Sequence, residues 1–151
     1  MWDVKDTTNQ LRFVRDAEFY PKRPINKEAY RTVLLVVERV LKAHFRQHRV
    51  LAEVCMGSFL ATPGGRNGSF LNDKAYQSIN SKRVDFLVID AMGNPALVIE
   101  YHGTFGRDGH ALAKDEIKRV TFDRAGIAWI EVPALIDEAR LTAMIRERLE
   151  R

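Results

Sequence analysis

The sequence has little that is typical of secreted or membrane proteins. It contains a single cysteine, Cys55, and therefore cannot form an internal disulfide, which fits a reducing compartment. No segment approaches the roughly 20 consecutive apolar residues that a membrane helix needs. The N-terminus lacks the basic and then apolar pattern of a secretory signal. These absences predict a cytoplasmic protein with no membrane partner.

Internal repeats and low-complexity segments are also absent, and neither sign of charge dominates. The net charge of +4 tolerates a polyanionic partner but does not require one, because a solvated basic surface gives the same composition. The length of 151 residues suits one domain with a core. We expect an N-terminal arm over residues 1–25, which packs on the domain, on a protein partner or in a dimer, and a domain over residues 26–151.

Apolar periodicity divides the remaining chain into helices and strands. Spacings of three and four residues predict a long amphipathic helix that begins at the N-cap Asn26, with Tyr30 first on its apolar stripe. Near-continuous apolar runs in the central hairpin predict strands that are covered on both faces. The segments expected after the first helix are a strand in 50–62, a polar loop in 74–82, strands in 84–91 and 96–101, a helix in 111–125, a strand in 127–132 and a final helix. This order predicts an α/β fold with helices packed around a mixed sheet.

Two acids lie in the apolar strands of the central hairpin. Asp85 interrupts the first strand, and the second strand ends on Glu100 and His102. If residues 93 and 94 form a two-residue turn, Asp85 faces His102, and alternation along the strand puts Glu100 on the same sheet face. A carboxylate in an apolar strand costs several kcal/mol unless a partner offsets its desolvation. We therefore expect these acids to share a partner.

A divalent metal ion is one partner that would stabilise both acids, and a Lys or Arg side chain is the other. Two carboxylates at neighbouring strand ends suit a hard cation such as Mg²⁺ or Mn²⁺. A metal in such a site can position a phosphodiester and lower the pKa of a bound water. A basic side chain close by would orient that water or stabilise the leaving oxygen.

Several motifs, taken in order, resemble the PD-(D/E)XK, or restriction-endonuclease-like, superfamily of nucleases. The motifs are S-I-N-S-K-R-V-D-F-L-V-I-D, L-V-I-E-Y-H-G, K-D-E-I-K-R and A-G-I-A-W-I-E-V-P. They are similar in pattern to a branch of small bacterial domains related to the very-short-patch-repair endonucleases. The resemblance covers residues 27–133 and implies an αβββαβ three-layer sandwich around a central mixed sheet, followed by a C-terminal helix.

The resemblance also implies roles for particular residues. Asp85 and Glu100 match the aspartate and glutamate that bind Mg²⁺ or Mn²⁺ in the superfamily. His102 stands where the superfamily has its lysine, and a neutral histidine could act there as a general base or metal ligand. Lys114 or Lys118 could instead supply the cation from the following helix.

Other charged residues are candidates for supporting roles. Glu28 and Glu38 on the first helix are possible additional acids, although Glu38 also fits a surface pair with Lys42. The basic residues expected to line a nucleic-acid path are Lys74, Lys82, Arg83, Arg107 and Lys114.

The sequence thus predicts a Mg²⁺-dependent endonuclease that hydrolyses phosphodiester bonds, with DNA as the expected substrate. Its catalytic residues would be Asp85, Glu100, His102 and Lys118. The alternative is a catalytically inactive module of the same fold that binds DNA or a protein, which the replaced lysine and the modest charge favour. A third interpretation is an α/β binding domain unrelated to nucleic acid.

Overall fold

The computed structural model describes residues 3–64, 68–103 and 109–151, without the side chains of residues 109–115. Within this part of the chain, one open sheet of four strands runs in the order β1-β2-β3-β4. The first three strands are antiparallel neighbours, and β3 pairs with β4 in parallel. The strands are β1 (Arg49–Cys55), β2 (Arg83–Ile89), β3 (Pro95–His102) and β4 (Ala128–Pro133). The predicted α/β class with a mixed sheet is confirmed.

Helices precede, interrupt and follow the strands. The helices are α1 (Thr7–Asp16), α2 (Lys27–Ala29), a π-helical turn (Tyr30–Leu34), α3 (Leu35–His44), a 3-10 turn (Met56–Ser58), α4 (Phe70–Ile79), α5 (Gly109–Ala125) and α6 (Glu138–Leu149). The predicted N-cap is confirmed, because Asn26 Oδ1 accepts from the N–H groups of Glu28 and Ala29. In the described ranges no helix is long and apolar enough to span a bilayer.

Both faces of the sheet are covered, as the continuous apolar runs predict. One face packs against the α2–α3 helix and α6, and the other packs against α4 and α5. Alternate side chains supply the two layers along residues 86–88 of β2 and 97–99 of β3, whereas Val84 lies in the same layer as Leu87. The first layer includes Phe86, Val88, Leu97, Ile99, Val37 and Leu141, and the second includes Val84, Leu87, Val98, Met56, Ile79 and Phe122.

The register of the central hairpin differs from the prediction by two residues. Val88, rather than Asp90, pairs with Leu97, and a bulge separates Val88 from Ile89. Extending the same register sets Asp85 opposite Glu100 instead of His102. The two acids are therefore direct cross-strand neighbours.

The segment before β2 was predicted wrongly. Residues 74–82 were expected to form a polar loop, but helix α4 occupies Phe70–Ile79. Ser69 caps it, since Ser69 Oγ accepts from the N–H of Asn72. Ile79 is buried and Tyr76 packs against the same core layer. The packing of buried Ile79 and partly buried Tyr76 outweighs the weak apolar periodicity of a mostly polar segment.

The strand expected in residues 50–62 is shorter than predicted. It ends at Cys55, and the chain turns through the 3-10 turn because the N–H of Met56 bonds to the carbonyl of Lys82. Met56 is fully buried under β2. An apolar sequence at this point therefore reflects a buried turn rather than a continuing strand.

A π-helical turn changes which residues of the first long helix face the core. The N–H of Leu35 bonds to the carbonyl of Tyr30, five residues back. In an uninterrupted α-helix, Tyr30 would lie one turn before Leu34 on the buried stripe. The extra residue in the turn rotates Tyr30 outwards, so that Ala29 is 4% exposed and Tyr30 is 45% exposed. The helix was predicted correctly, but the placement of Tyr30 on its apolar stripe was wrong.

Candidate functional site

Asp85 lies near the start of β2, next to the end of β3 and beside the start of the α2–α3 helix. Its Oδ2 accepts a hydrogen bond of 2.7 Å from the N–H of Tyr101. The side chain lines a small cavity of about 180 Å³. The other residues that line this cavity are Ile25, Asn26, Ala29, Glu53, Phe86, Tyr101 and Gly103.

Glu100 sits between an acid and a base. Its Oε1 lies 2.8 Å from Lys118 Nζ, and its Oε2 accepts from the N–H of Asp85 at 3.3 Å. Lys118 also donates to the carbonyl of Arg83 at 2.5 Å, which anchors the ammonium over the start of β2. Both side chains are largely buried, with 16% of Glu100 and 20% of Lys118 exposed. The structure thus brings together three of the four predicted catalytic residues.

The electrostatic setting of Glu100 makes its ionisation costly. Burial and, next in size, the nearby charge of Asp85 raise the pKa of Glu100 to about 7, although Lys118 acts in the opposite direction. At neutral pH this carboxyl group therefore exchanges readily between its protonated and ionised forms. A second positive charge beside Asp85 and Glu100 would stabilise the ionised form of both acids.

His102 points towards a different carboxylate. Its Nε2 lies 3.5 Å from Oε2 of Glu131 on the parallel strand β4. Arg119 Nε contacts the other oxygen of Glu131 at 2.5 Å. These contacts form a second charged cluster on the α5 side of the sheet, next to the Glu100–Lys118 pair.

Two further acids approach the site from neighbouring elements. Tyr101 donates its hydroxyl to Glu28 Oε2 at 3.0 Å, so Glu28 is linked to the strand that carries Glu100. Glu53 on β1 lines the same cavity as Asp85 and has a φ of 54°. A positive φ is uncommon for a residue other than glycine and costs on the order of 1 kcal/mol or more. Glu38 instead lines a separate cavity with Lys42 and does not face Asp85.

Glu53 and Tyr101 were missed by the sequence analysis. Glu53 interrupts the apolar run V-L-A-E-V-C just as Asp85 interrupts its own strand, so the same criterion could have found it. Nothing in the sequence indicates that the backbone N–H of Tyr101 would hold Asp85, since that bond depends on how the two strands meet.

The predicted basic residues lie in several places. Arg83 opens β2 and is exposed, while Lys82 immediately precedes it and is half-buried. Lys74 on α4 lies over the ring of Phe70, with Nζ 5.4 Å from the ring centre. Arg107 and the side chain of Lys114 lie outside the described residues.

A complete metal-ligand set is not visible in the described part of the chain. No group of three or more His, Cys, Asp and Glu side chains is arranged there to hold a metal ion. The pair Asp85 and Glu100 supplies two carboxylates, and Lys118 forms an ion pair with that of Glu100.

Comparison with known proteins assigns the chain to a family. The family model described as "Protein of unknown function (DUF2726)" matches residues 22–150. The chain belongs to this family. The match spans the α2–α3 helix, the whole sheet and α6, so Asp85, Glu100 and Lys118 all fall inside the DUF2726 region.

Relatives with curated sequences carry no stated function. An uncharacterized protein of Haemophilus influenzae is 30% identical over 149 residues, which cover 99% of this chain and 73% of the relative. The "Uncharacterized protein y4bI" of Sinorhizobium fredii is 35% identical over 86 residues, covering 57% of this chain and 56% of the relative. No solved structure matches the chain.

Proposed function

We propose that this DUF2726 protein is a Mg²⁺- or Mn²⁺-dependent endonuclease of the restriction-endonuclease-like fold that acts on DNA. The observation that carries the proposal is the convergence of Asp85, Glu100 and Lys118 at one end of the central hairpin. Two neighbouring acids and a buried lysine are the residue types that the superfamily resemblance implies. The order of helix, antiparallel strands, helix and parallel strand supports the same fold, with α4 as an addition.

The acids fit a hard cation by their chemistry. Both offer oxygen atoms, and burial and the charge of Asp85 oppose the ionisation of Glu100, so positive charge beyond that of Lys118 would favour it. Asp85 and Glu100 would hold the ion, and Glu53 lines the same cavity as Asp85. A bound divalent ion would supply polarisation of the phosphate and activation of water.

Lys118 is a better candidate than His102 for the position of the superfamily lysine. Its ammonium lies 2.8 Å from Glu100, whereas His102 lies beside Glu131. The carbonyl of Arg83 fixes the lysine from the other side. Lys118 would orient the attacking water and stabilise negative charge on the phosphate, and Asp85, held by the N–H of Tyr101, would keep a fixed orientation.

Cleavage of supercoiled plasmid with Mg²⁺ or Mn²⁺ tests the proposal. We expect Asp85→Asn, Glu100→Gln and Lys118→Met each to lower the rate by roughly 10²- to 10⁴-fold, and His102→Gln by less than tenfold. Glu138→Gln, which removes an exposed acid paired with Arg39, is the matched control and should retain full activity. Folding of each variant is checked by thermal unfolding.

Metal binding can be measured without activity. Mn²⁺ at 100 times its dissociation constant would stabilise the native state by about 2.7 kcal/mol, and Asp85→Asn should remove that stabilisation. A folded wild type that neither cuts DNA nor gains stability with either ion would favour the alternative, an inactive nuclease-fold module. The Glu100–Lys118 ion pair favours that alternative, because the lysine already neutralises Glu100 without a metal.

A further inference from the structure

A groove next to the acid site is lined by cations around an aromatic ring. It encloses about 420 Å³, and its walls are Arg23, Pro24, Ile25, Lys27, Tyr30 and Arg31. The apolar part comes from the proline, the isoleucine and the tyrosine. The three remaining lining residues are basic, and none of the acids that the structure describes lines the groove.

The π-helical turn is what presents the ring to this groove. Lys27, Tyr30 and Arg31 are spaced i, i+3 and i+4, so they lie on one side of the helix. Without the extra residue in the turn, Tyr30 would point into the core beside Val33 and Leu34. With it, Tyr30 is 45% exposed and stands between two cations of its own helix.

The three cations have no carboxylate partner within the described ranges. By contrast, Arg39 pairs with Glu138 and Arg119 pairs with Glu131. Positive charge at the groove is therefore not neutralised by the described parts of the fold. A ligand that combines negative charge with a flat apolar face would match both the cations and the tyrosine ring of the groove.

The groove adjoins the cavity that Asp85 lines. Ile25 lines both, and the next residue, Asn26, lines the Asp85 cavity. Glu28 on the same helical turn accepts from Tyr101, one residue after Glu100. A strand whose phosphate lies at the acids would therefore reach the groove with a neighbouring nucleotide.

We propose that this groove binds an unpaired nucleotide of a nucleic-acid strand, with its base stacked on Tyr30 and its flanking phosphates at Arg23, Lys27 and Arg31. The assignment rests on the proposed function for the location of the strand. A half-exposed ring in a concave groove can take the face of one unstacked base. A base inside an intact duplex cannot present that face, so the groove favours a single-stranded segment or a frayed end.

Binding of a fluorescein-labelled 12-nucleotide single strand, measured by anisotropy in EDTA, tests the groove without cleavage. Tyr30→Ala should weaken binding by roughly 5- to 150-fold, the range for loss of one base–aromatic stack, and Tyr30→Phe should retain it. Replacing the three cations with Gln should flatten the dependence of log Kd on log salt by about 2, because each contact with a single strand releases roughly 0.7 of an ion.

Phe70→Ala is the matched control for the ring. Phe70 is 79% exposed and also has a lysine beside it, but it lies on α4. Its loss should leave single-strand binding unchanged. The same sequence as a blunt duplex should bind more weakly than the single strand, and its binding should be insensitive to Tyr30→Ala.

Two results would overturn the assignment. If Tyr30→Ala leaves the single-strand affinity unchanged, no base stacks on Tyr30 in the groove. If a poly-glutamate peptide of the same charge competes with the labelled strand as well as unlabelled single strand does, the groove is a general polyanion-binding surface. The nuclease proposal has a separate test. If single-strand binding depends on Tyr30 but plasmid is never cut, the groove binds a nucleotide and the protein is not a nuclease.

Discussion

Glu100 is held between opposing charges, and this arrangement has a measurable consequence. Its carboxyl group touches the N–H of Asp85 on one side and Lys118 on the other. In the folded protein the pKa of Glu100 is about 7, against 4.5 for an unperturbed glutamate, mainly because of burial and the charge of Asp85. The folded state therefore binds a proton more tightly than the unfolded state does.

Stability should consequently depend on pH through this one residue. The raised pKa of Glu100 adds to the free energy of unfolding. This contribution is fully present below pH 4.5 and is lost as the pH rises through about 7. The difference between 7 and 4.5 is 2.5 units, which corresponds to an effect on the order of 3 kcal/mol. Urea unfolding of the metal-free protein tests this prediction. Between pH 4 and pH 8 the free energy of unfolding of wild type should fall by this amount relative to that of Glu100→Gln.

The matched control for the pH series is Glu138→Gln. Glu138 is an exposed acid that pairs with Arg39 at 2.8 Å, so its removal should leave the pH dependence of wild type intact. A flat difference between wild type and Glu100→Gln across this range would show that Glu100 titrates normally.

At the scale of elements, helices and strands were predicted best where their buried residues form a continuous or regular apolar pattern in the sequence. The strands of the hairpin were predictable because both of their faces are covered, and the first long helix because its stripe is regular. The register was not predictable, since the N–H of Asp90 bonds to the carbonyl of Asn94 across a longer turn than predicted, and the register shifts again between Val88 and Ile89. Helix α4 was missed because its stability depends on one buried side chain, one partly buried side chain and a cap. Of the site, Asp85 and Glu100 followed from acids in apolar strands, whereas the lysine that contacts Glu100 depends on how α5 crosses the sheet.

The cap of α4 provides a test at this scale. Ser69→Ala removes the side-chain acceptor for the N–H of Asn72 and should lower the free energy of unfolding by about 1 kcal/mol. Ser78→Ala is the comparison, because Ser78 Oγ donates to the carbonyl of Lys74 within the helix and caps nothing. We expect chemical unfolding to show little change for Ser78→Ala; equal losses in both variants would contradict a capping role.

At the scale of the whole molecule, two core layers hold the sheet between helices. The layer under α3 and α6 spans elements from both ends of the DUF2726 match, so the C-terminal helix is part of the domain core. That layer also includes Ala29 of α2, next to the acid cavity. The position of the candidate site is therefore fixed by packing that involves the last helix of the chain.

Truncating a side chain of α6 should reveal this dependence. Leu141 is fully buried, and Leu141→Ala should cost about 2–5 kcal/mol through lost contacts and a residual cavity. Leu71→Ala, at a leucine of α4 that is 75% exposed, should change stability by less than about 0.5 kcal/mol. Thermal and urea unfolding provide the comparison, and a small effect at Leu141 would place α6 outside the cooperative unit.

The π-helical turn makes the orientation of Tyr30 depend on a single codon. Because each residue advances a helix by about 100°, deletion of one codon between positions 30 and 34 would restore regular α-helical spacing. The ring would then rotate towards the core while the downstream helix kept its register. Deletion of three nucleotides from the gene would therefore close the groove, with the acids, the lysine and the sheet all unaltered.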